Sequence, residues 1–237
     1  MRLDKFLSVT GAATRTEAKK AIRARAVSVN GVAASSAEMQ INPEIDEVLF
    51  FGEKVIYREY TYIMVNKPQG VVSATEDGRD KTVLDLLPAN IKKDKLFPCG
   101  RLDKDTLGLV IVTDNGELAH ELLSPRSHVS KSYKFKAAEP ISECDLRILE
   151  NGVALADGYV TKPAKIILDE NNSEGIIILT EGKYHQIKRM FGVVGLGVNK
   201  LHRVSIGKLM LPDELGAGEA RELTEAEIPL IFEKNLF

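Results

Sequence analysis

The 237 residues contain only two cysteines, Cys99 and Cys144. Their spacing supports neither a disulfide framework nor a metal site, and a reducing cytoplasm is the expected compartment. No apolar run approaches the ~18 residues that a membrane span requires. The acid and base close together in MRLDKFLSV are unlike a signal peptide, so no membrane association is expected. Glycines do not fall in the order GxGxxG after a strand, nor in GxxxxGK followed by Ser or Thr, which removes the common nucleotide-binding signatures. The four histidines, His120, His128, His185 and His202, are scattered and lack cysteines at zinc spacing. Neither a metal nor an organic cofactor is expected. Ser124 and Ser127 stand near His128, but no GxSxG elbow frames them, and serines capping a turn are the simpler reading.

What is present is ordinary in amount and uneven in distribution. A 44% hydrophobic fraction suits a globular chain. The length allows one large domain or two unequal ones. Residues 1–31 hold seven bases (Arg2, Lys5, Arg15, Lys19, Lys20, Arg23, Arg25) against two acids, a net +5. The whole chain is −2, so the remainder carries −7. A basic head on an acidic body points to a polyanion at one end.

The head reads as helix, helix, hairpin. Thr14-Arg-Thr-Glu17 fits a capping box. The helix it opens places Arg15, Lys19 and Arg23 on one face, without interleaved acids. Val27 to Val32 alternates through Asn30-Gly31, a strong hairpin signal. More strand follows from Asp46 to Tyr57, broken at Gly52. The composition changes near Arg58–Tyr60. Beyond it, strands are expected at Tyr62–Val65, Leu109–Thr113, Ser132–Ala137, Ala164–Leu168, Ile176–Thr180 and Leu201–Ile206. Helices are expected through Leu123 and over Tyr184–Val194. The alternation is too irregular for a doubly wound sheet. The expected class is α+β, with a small unit over residues 1–58 and a mixed, largely antiparallel-sheet domain over 59–237.

One stretch raises a chemical question. In GRLDKDTLGLVIV, Gly100 to Val112, a charged loop opens directly into a run that must be buried. A carboxylate there is partly desolvated and needs a cation or donors to stay ionised. Asp103 is the candidate; the structural alternative is a loop aspartate that bonds backbone amides or simply pairs with Arg101. TEGKYHQIKRM, Thr180 to Met190, carries a second basic cluster. Tyr184, Ile187, Phe191 and Val194 recur at helical spacing and read as a buried stripe. Lys188 and Arg189 then lie at its margin, where a cation can hold a half-buried aspartate ionised.

These residues carry a resemblance. RLDKFL, TRTEAKKAIRARAVSVNG and DEVLFF are similar to the S4 RNA-binding domain. Four ordered motifs resemble those of the RsuA/RluA pseudouridine synthases: Asn66-Lys67-Pro68 with Gly70; Gly100-Arg101-Leu102-Asp103 with Thr106 and Gly108-Leu109; Lys131-Ser132-Tyr133; and Glu181 to Met190. The resemblance implies an S4-like head whose bases, Arg2, Lys5, Arg15, Lys19, Lys20, Arg23 and Arg25, meet RNA, followed by a pseudouridine synthase domain. It implies that Asp103 is catalytic, that Tyr133 packs against the target base, and that Lys188 pairs with the aspartate. Many relatives have Arg at that last position, and Lys keeps the charge without the bidentate fork. Arg101 would help displace the base from its helix.

The implied reaction detaches uracil from N1, rotates it and rejoins it through C5, with no redox change. A fixed carboxylate can add to C1′ or to C6, or remove a sugar proton. YHQIKRMF looks closer to the small-subunit branch than to the Arg-rich large-subunit version. The expected partner is therefore 16S rRNA or a small-subunit assembly intermediate, met by a monomer. The alternatives are a 23S rRNA synthase of the same branch, a non-catalytic rRNA-binding assembly factor, and a glycosylase that releases uracil.

Overall fold

The computed structural model describes residues 1–89, 91–124 and 126–233. The chain divides into two compact units, Met1–Glu59 and Tyr60–Phe237.

The first unit contains α1 (Leu3–Val9), α2 (Arg15–Arg23) and the strands β1 (Val27–Val29), β2 (Val32–Ala33), β3 (Val48–Phe50) and β4 (Glu53–Lys54). The strands form a sheet in the order β2-β1-β3-β4. Helix α2 starts where the capping box requires. Thr14 Oγ1 accepts from the Glu17 backbone N–H at 3.3 Å, and the Glu17 carboxylate accepts from the Thr14 N–H at 2.8 Å. The β1–β2 turn has positive φ at both Asn30 and Gly31, 51° and 79°, which suits a two-residue hairpin. Leu3, Phe6 and Leu7 from α1 and Ala18, Ala21 and Ile22 from α2 close over Val27, Val29 and Val48 to make the core.

The second unit contains β5 (Tyr62–Lys67), β6 (Phe97–Cys99), β7 (Leu107–Thr113), α3 (Gly116–Leu123), β8 (Lys131–Ala137), α4 (Glu143–Asn151), β9 (Lys165–Leu168), β10 (Glu174–Leu179), α5 (Gln186–Val193), β11 (Val198–Ile206), β12 (Leu209–Met210) and β13 (Ala220–Glu222). Among the described residues they build a nine-stranded sheet whose main path runs β13-β5-β7-β11-β8-β10-β9. Every pairing is antiparallel except that of β7 with β11. The S4-like head and the mixed, largely antiparallel sheet are thus both present.

The apolar run of β7 follows from burial on both faces. Val110 and Val112 join a core cluster that includes Tyr133, Phe135, Ile177, Met190 and Phe191. Leu109 and Ile111 join a second cluster with Leu118 and Leu122 of α3. A strand covered on both sides needs no polar alternation. Gly108 at its start has φ +106°, and a Cβ there would meet the Arg203 carbonyl oxygen at 2.2 Å. Only glycine lets β7 and β11 approach this closely.

Two local expectations are corrected. The helix expected from Tyr184 starts at Gln186, and Tyr184 is 76% exposed rather than part of the buried stripe. The cause is His185, whose left-handed backbone (φ 49°) breaks the helical phase one residue before the helix. Val194, at the other end, is only half-buried. Helix α4 was not anticipated, because only Leu149 of its nine residues is buried and the apolar period is weak.

Candidate active site

The loop from Gly100 to Thr106 joins β6 to β7 and is fastened from below. Ser73 Oγ accepts from the Leu102 N–H at 3.0 Å and donates to the Leu102 carbonyl at 3.1 Å. Lys67, the last residue of β5, is fully buried. Its ammonium donates to the carbonyls of Pro68 (3.0 Å), Val71 (2.7 Å) and Lys104 (3.3 Å). Burial pulls this ammonium down to about 8, while Asp105 and Asp103 oppose the fall. The Asn-Lys-Pro motif therefore acts as a clamp that fixes the carboxylate loop to the sheet.

Asp103 projects from that loop with its side chain 25% exposed. Lys188 Nζ of α5 lies 3.2 Å from Asp103 Oδ2, and His185 Nε2 lies 3.3 Å from Asp103 Oδ1. Lys188 also reaches Asp105, at 2.5 Å. Burial acts to lower the Lys188 pKa, but hydrogen bonds to Asp105 and Asp103 outweigh it and raise the value overall. The same bond from Lys188 holds Asp105 below the usual carboxylate range. Arg101 is exposed at the mouth of the cleft and forms no ion pair with Asp103 among the described residues.

A buried polar network sets the height of α5. Glu181, 7% exposed, accepts from the Tyr159 hydroxyl at 2.6 Å, the Lys162 N–H at 3.0 Å and the Gln186 amide at 2.7 Å. Gln186 in turn accepts from the Lys183 N–H at 2.9 Å. This turn delivers His185 toward Asp103 and leaves Tyr184 stacked on the imidazole, with centroids 3.8 Å apart.

Asp103, Tyr133, Lys188 and Arg101 all line one cleft of about 350 Å³, within the ~300–1,000 Å³ usual for small-molecule sites. Tyr133 stands on β8, 8% exposed. Ser124 lines the same cleft, but its hydroxyl accepts from the Arg126 N–H at 3.3 Å, and Ser127 donates to the Ser124 carbonyl at 2.8 Å. Both serines cap a turn. His128 faces Lys162 instead, at 3.2 Å. Among the described residues, no three His, Cys, Asp or Glu side chains gather to hold a metal ion.

The residues 61–192 match the model of the RNA pseudouridylate synthase family, and residues 1–45 match that of the S4 domain. The chain belongs to the RNA pseudouridylate synthase family. It is 47% identical to YtzG of Bacillus subtilis (strain 168), described as an uncharacterized RNA pseudouridine synthase, covering 98% of this chain and 99% of that one. It is 42% identical to the ribosomal small subunit pseudouridine synthase A of Haemophilus influenzae, covering 96% and 98%. A crystal structure of a pseudouridylate synthase superposes with a TM-score of 0.68 at 39% identity, covering 98% of this chain and 99% of that one.

This pseudouridylate synthase therefore gathers its four anticipated cleft residues around one opening. Asp105, His185, Glu181 and Arg203 were not anticipated. The DKD of the loop and the inward-facing Arg of LHRVSI were the available signals. The basic residues of the head differ among themselves. Lys5, Arg15, Lys19, Lys20, Arg23 and Arg25 are exposed and form no ion pair among the described residues. Arg2 grips Asp4 through two hydrogen bonds, at 3.1 and 2.9 Å, and lies 3.5 Å from Glu38. It is the least available of the seven for phosphate.

Proposed function

We propose that this pseudouridylate synthase converts a uridine of 16S rRNA to pseudouridine, with Asp103 as the catalytic carboxylate and no cofactor. The observation that carries the proposal is Asp103 itself. It faces a cleft wide enough for one base, flanked by Lys188 and His185, with the Tyr133 ring on the same lining. The 16S assignment rests on the relatives named ribosomal small subunit pseudouridine synthase A, which match over nearly the whole chain.

The target base leaves its stack and packs against Tyr133. Lys188 and His185 keep Asp103 oriented and the clamp of Lys67 keeps its loop still. The N1–C1′ bond breaks, the ring turns, and C5 joins C1′. The C5 proton is lost and N1 gains one, so composition is unchanged. Arg101 at the mouth meets the RNA as the base is displaced. The S4 unit supplies affinity through the α2 face and neighbouring lysines. The protein acts as a monomer in the cytoplasm; among the described residues no helix is long and apolar enough to cross a membrane.

The test is mass mapping after pseudouridine-specific labelling. Transcripts of 16S and 23S rRNA and partly assembled small subunits are each incubated with the protein. A single new pseudouridine in 16S rRNA is expected. Modification confined to 23S rRNA would overturn the assignment of the RNA, and free uracil would overturn the isomerisation.

A further inference from the structure

Two cations on the strands that line the cleft have no part in the mechanism above. Arg203 on β11 stands directly opposite Tyr133 on β8. Paired residues on neighbouring strands project to the same face, so the guanidinium and the phenol share it. Arg203 is 3% exposed. Its Nε donates to the Leu109 carbonyl at 2.7 Å, while its buried Nη2 has no hydrogen-bond partner. Thr106 Oγ1, at the end of the Asp103 loop, is buried and unpartnered as well. Lys131 lies two residues before Tyr133, hence on the same side of β8. Its ammonium donates to the Val129 carbonyl at 3.1 Å. Both cations contribute to the lining of the cleft. The ion pairs of this cleft run from His185 and Lys188 to Asp103 and Asp105, and among the described residues neither Arg203 nor Lys131 joins them. Burial pushes the Lys131 ammonium down to about 8, and Arg203 adds to the fall.

An unmatched buried cation is costly, and native structures rarely keep one without use. The register places it beside the ring that packs the base. On the reading under Proposed function, we infer that Arg203, assisted by Lys131, is the charge-stabilising group for the detached uracil. When N1–C1′ breaks, its electron pair leaves with the base. The uracilate shares that charge between O2 and O4, beside a guanidinium that is itself withdrawn from water and so acts strongly. When C5 returns a pair to C1′ and loses its proton, N1 is protonated and the charge is gone. Lys188 serves the carboxylate; Arg203 serves the base.

The test compares rRNA transcripts containing uridine with transcripts containing 5-fluorouridine. Fluorine at C5 withdraws electrons and eases departure of the anion. Single-turnover loss of the target nucleoside is followed by nuclease digestion and chromatographic separation of the nucleosides, which resolves the isomers of equal mass, for the parent, Arg203→Gln and Lys131→Met. Gln can still donate to the Leu109 carbonyl. Arg203→Gln should be about a hundredfold slower on uridine, and its loss on 5-fluorouridine should be at least about tenfold smaller. Lys131→Met should shift in the same direction by less. Imperfect folding lowers both rates alike and cannot create the difference. Equal losses on the two RNAs in both variants would overturn the inference. A parent inactive on every transcript and on partly assembled small subunits carrying the same RNAs would instead overturn the proposed function, and the inference with it.

Discussion

The Lys188 ammonium lies 2.5 Å from the Asp105 carboxylate, closer than its 3.2 Å approach to Asp103. One cation is shared by two acids two residues apart on a clamped loop. Asp105 is the more exposed of the two, 59% against 25%, so it anchors Lys188 from the solvent side while Asp103 faces the cleft. Asp105→Asn should therefore keep turnover within about tenfold of the parent, a change of ~1.4 kcal/mol or less in the barrier. Single-turnover rates on rRNA measure this. A complete loss would make Asp105 part of the chemistry.

Lys188→Met leaves both carboxylates without their common cation. Turnover should fall about a hundredfold, and Lys188→Arg should restore most of it, since a guanidinium can span two carboxylates. Kinetics of the two variants at saturating RNA decide the matter. Equal activity of Met and Arg would show that the charge is unimportant.

Tyr133→Phe should retain more activity than Tyr133→Ala. A phenyl ring still stacks, and stacking is worth ~1–3 kcal/mol per base. The Ala variant also opens a cavity in a buried position, so folded fraction must be measured alongside turnover. Phe as inactive as Ala would assign the hydroxyl a chemical role.

Lys131 links the site to stability. Its ammonium titrates at about 8 in the folded protein and near its ordinary 10.5 in the unfolded chain. Between those values the unfolded chain binds more protons, so this group makes stability rise with pH. Lys67, also pulled to about 8, acts in the same sense. Lys131→Met should be more stable than the parent at pH 7, and the gap should close as pH approaches 10. Denaturant midpoints across that range test it. A gap that widens with pH would contradict the burial argument.

In the S4 unit, Arg15, Lys19 and Arg23 are exposed on α2. Replacing all three with Gln should weaken RNA binding and flatten its salt dependence by roughly 0.7–0.9 for each phosphate that is no longer neutralised. The rate at saturating RNA should change little. An unaltered slope on naked rRNA and on assembly particles would show a merely solvated face.

What was legible in the sequence was what is local. The Thr14–Glu17 capping box and the Asn30-Gly31 turn are completed within a few residues, so their chemistry is visible in the string. The two-sided burial of β7 was written in its unbroken apolar run. The Asp103–Lys188 pairing was reached through resemblance, because the sheet, not the local sequence, brings α5 to the β6–β7 loop. His185 and Asp105 were overlooked for the same reason. Tyr184 was misplaced because a single left-handed residue resets the helical phase, and no apolar period records that. The Lys67 clamp was invisible, since its acceptors are backbone carbonyls and carry no residue identity.

The central claim is that the Asp103 carboxylate performs the isomerisation. Asp103→Asn keeps the shape and removes the charge and the nucleophile. Its single-turnover conversion of rRNA, mapped by pseudouridine-specific labelling beside an equilibrium binding measurement on the same RNA, is the most direct test. No pseudouridine with nearly unchanged affinity is the expected result; conversion within about tenfold of the parent would contradict it.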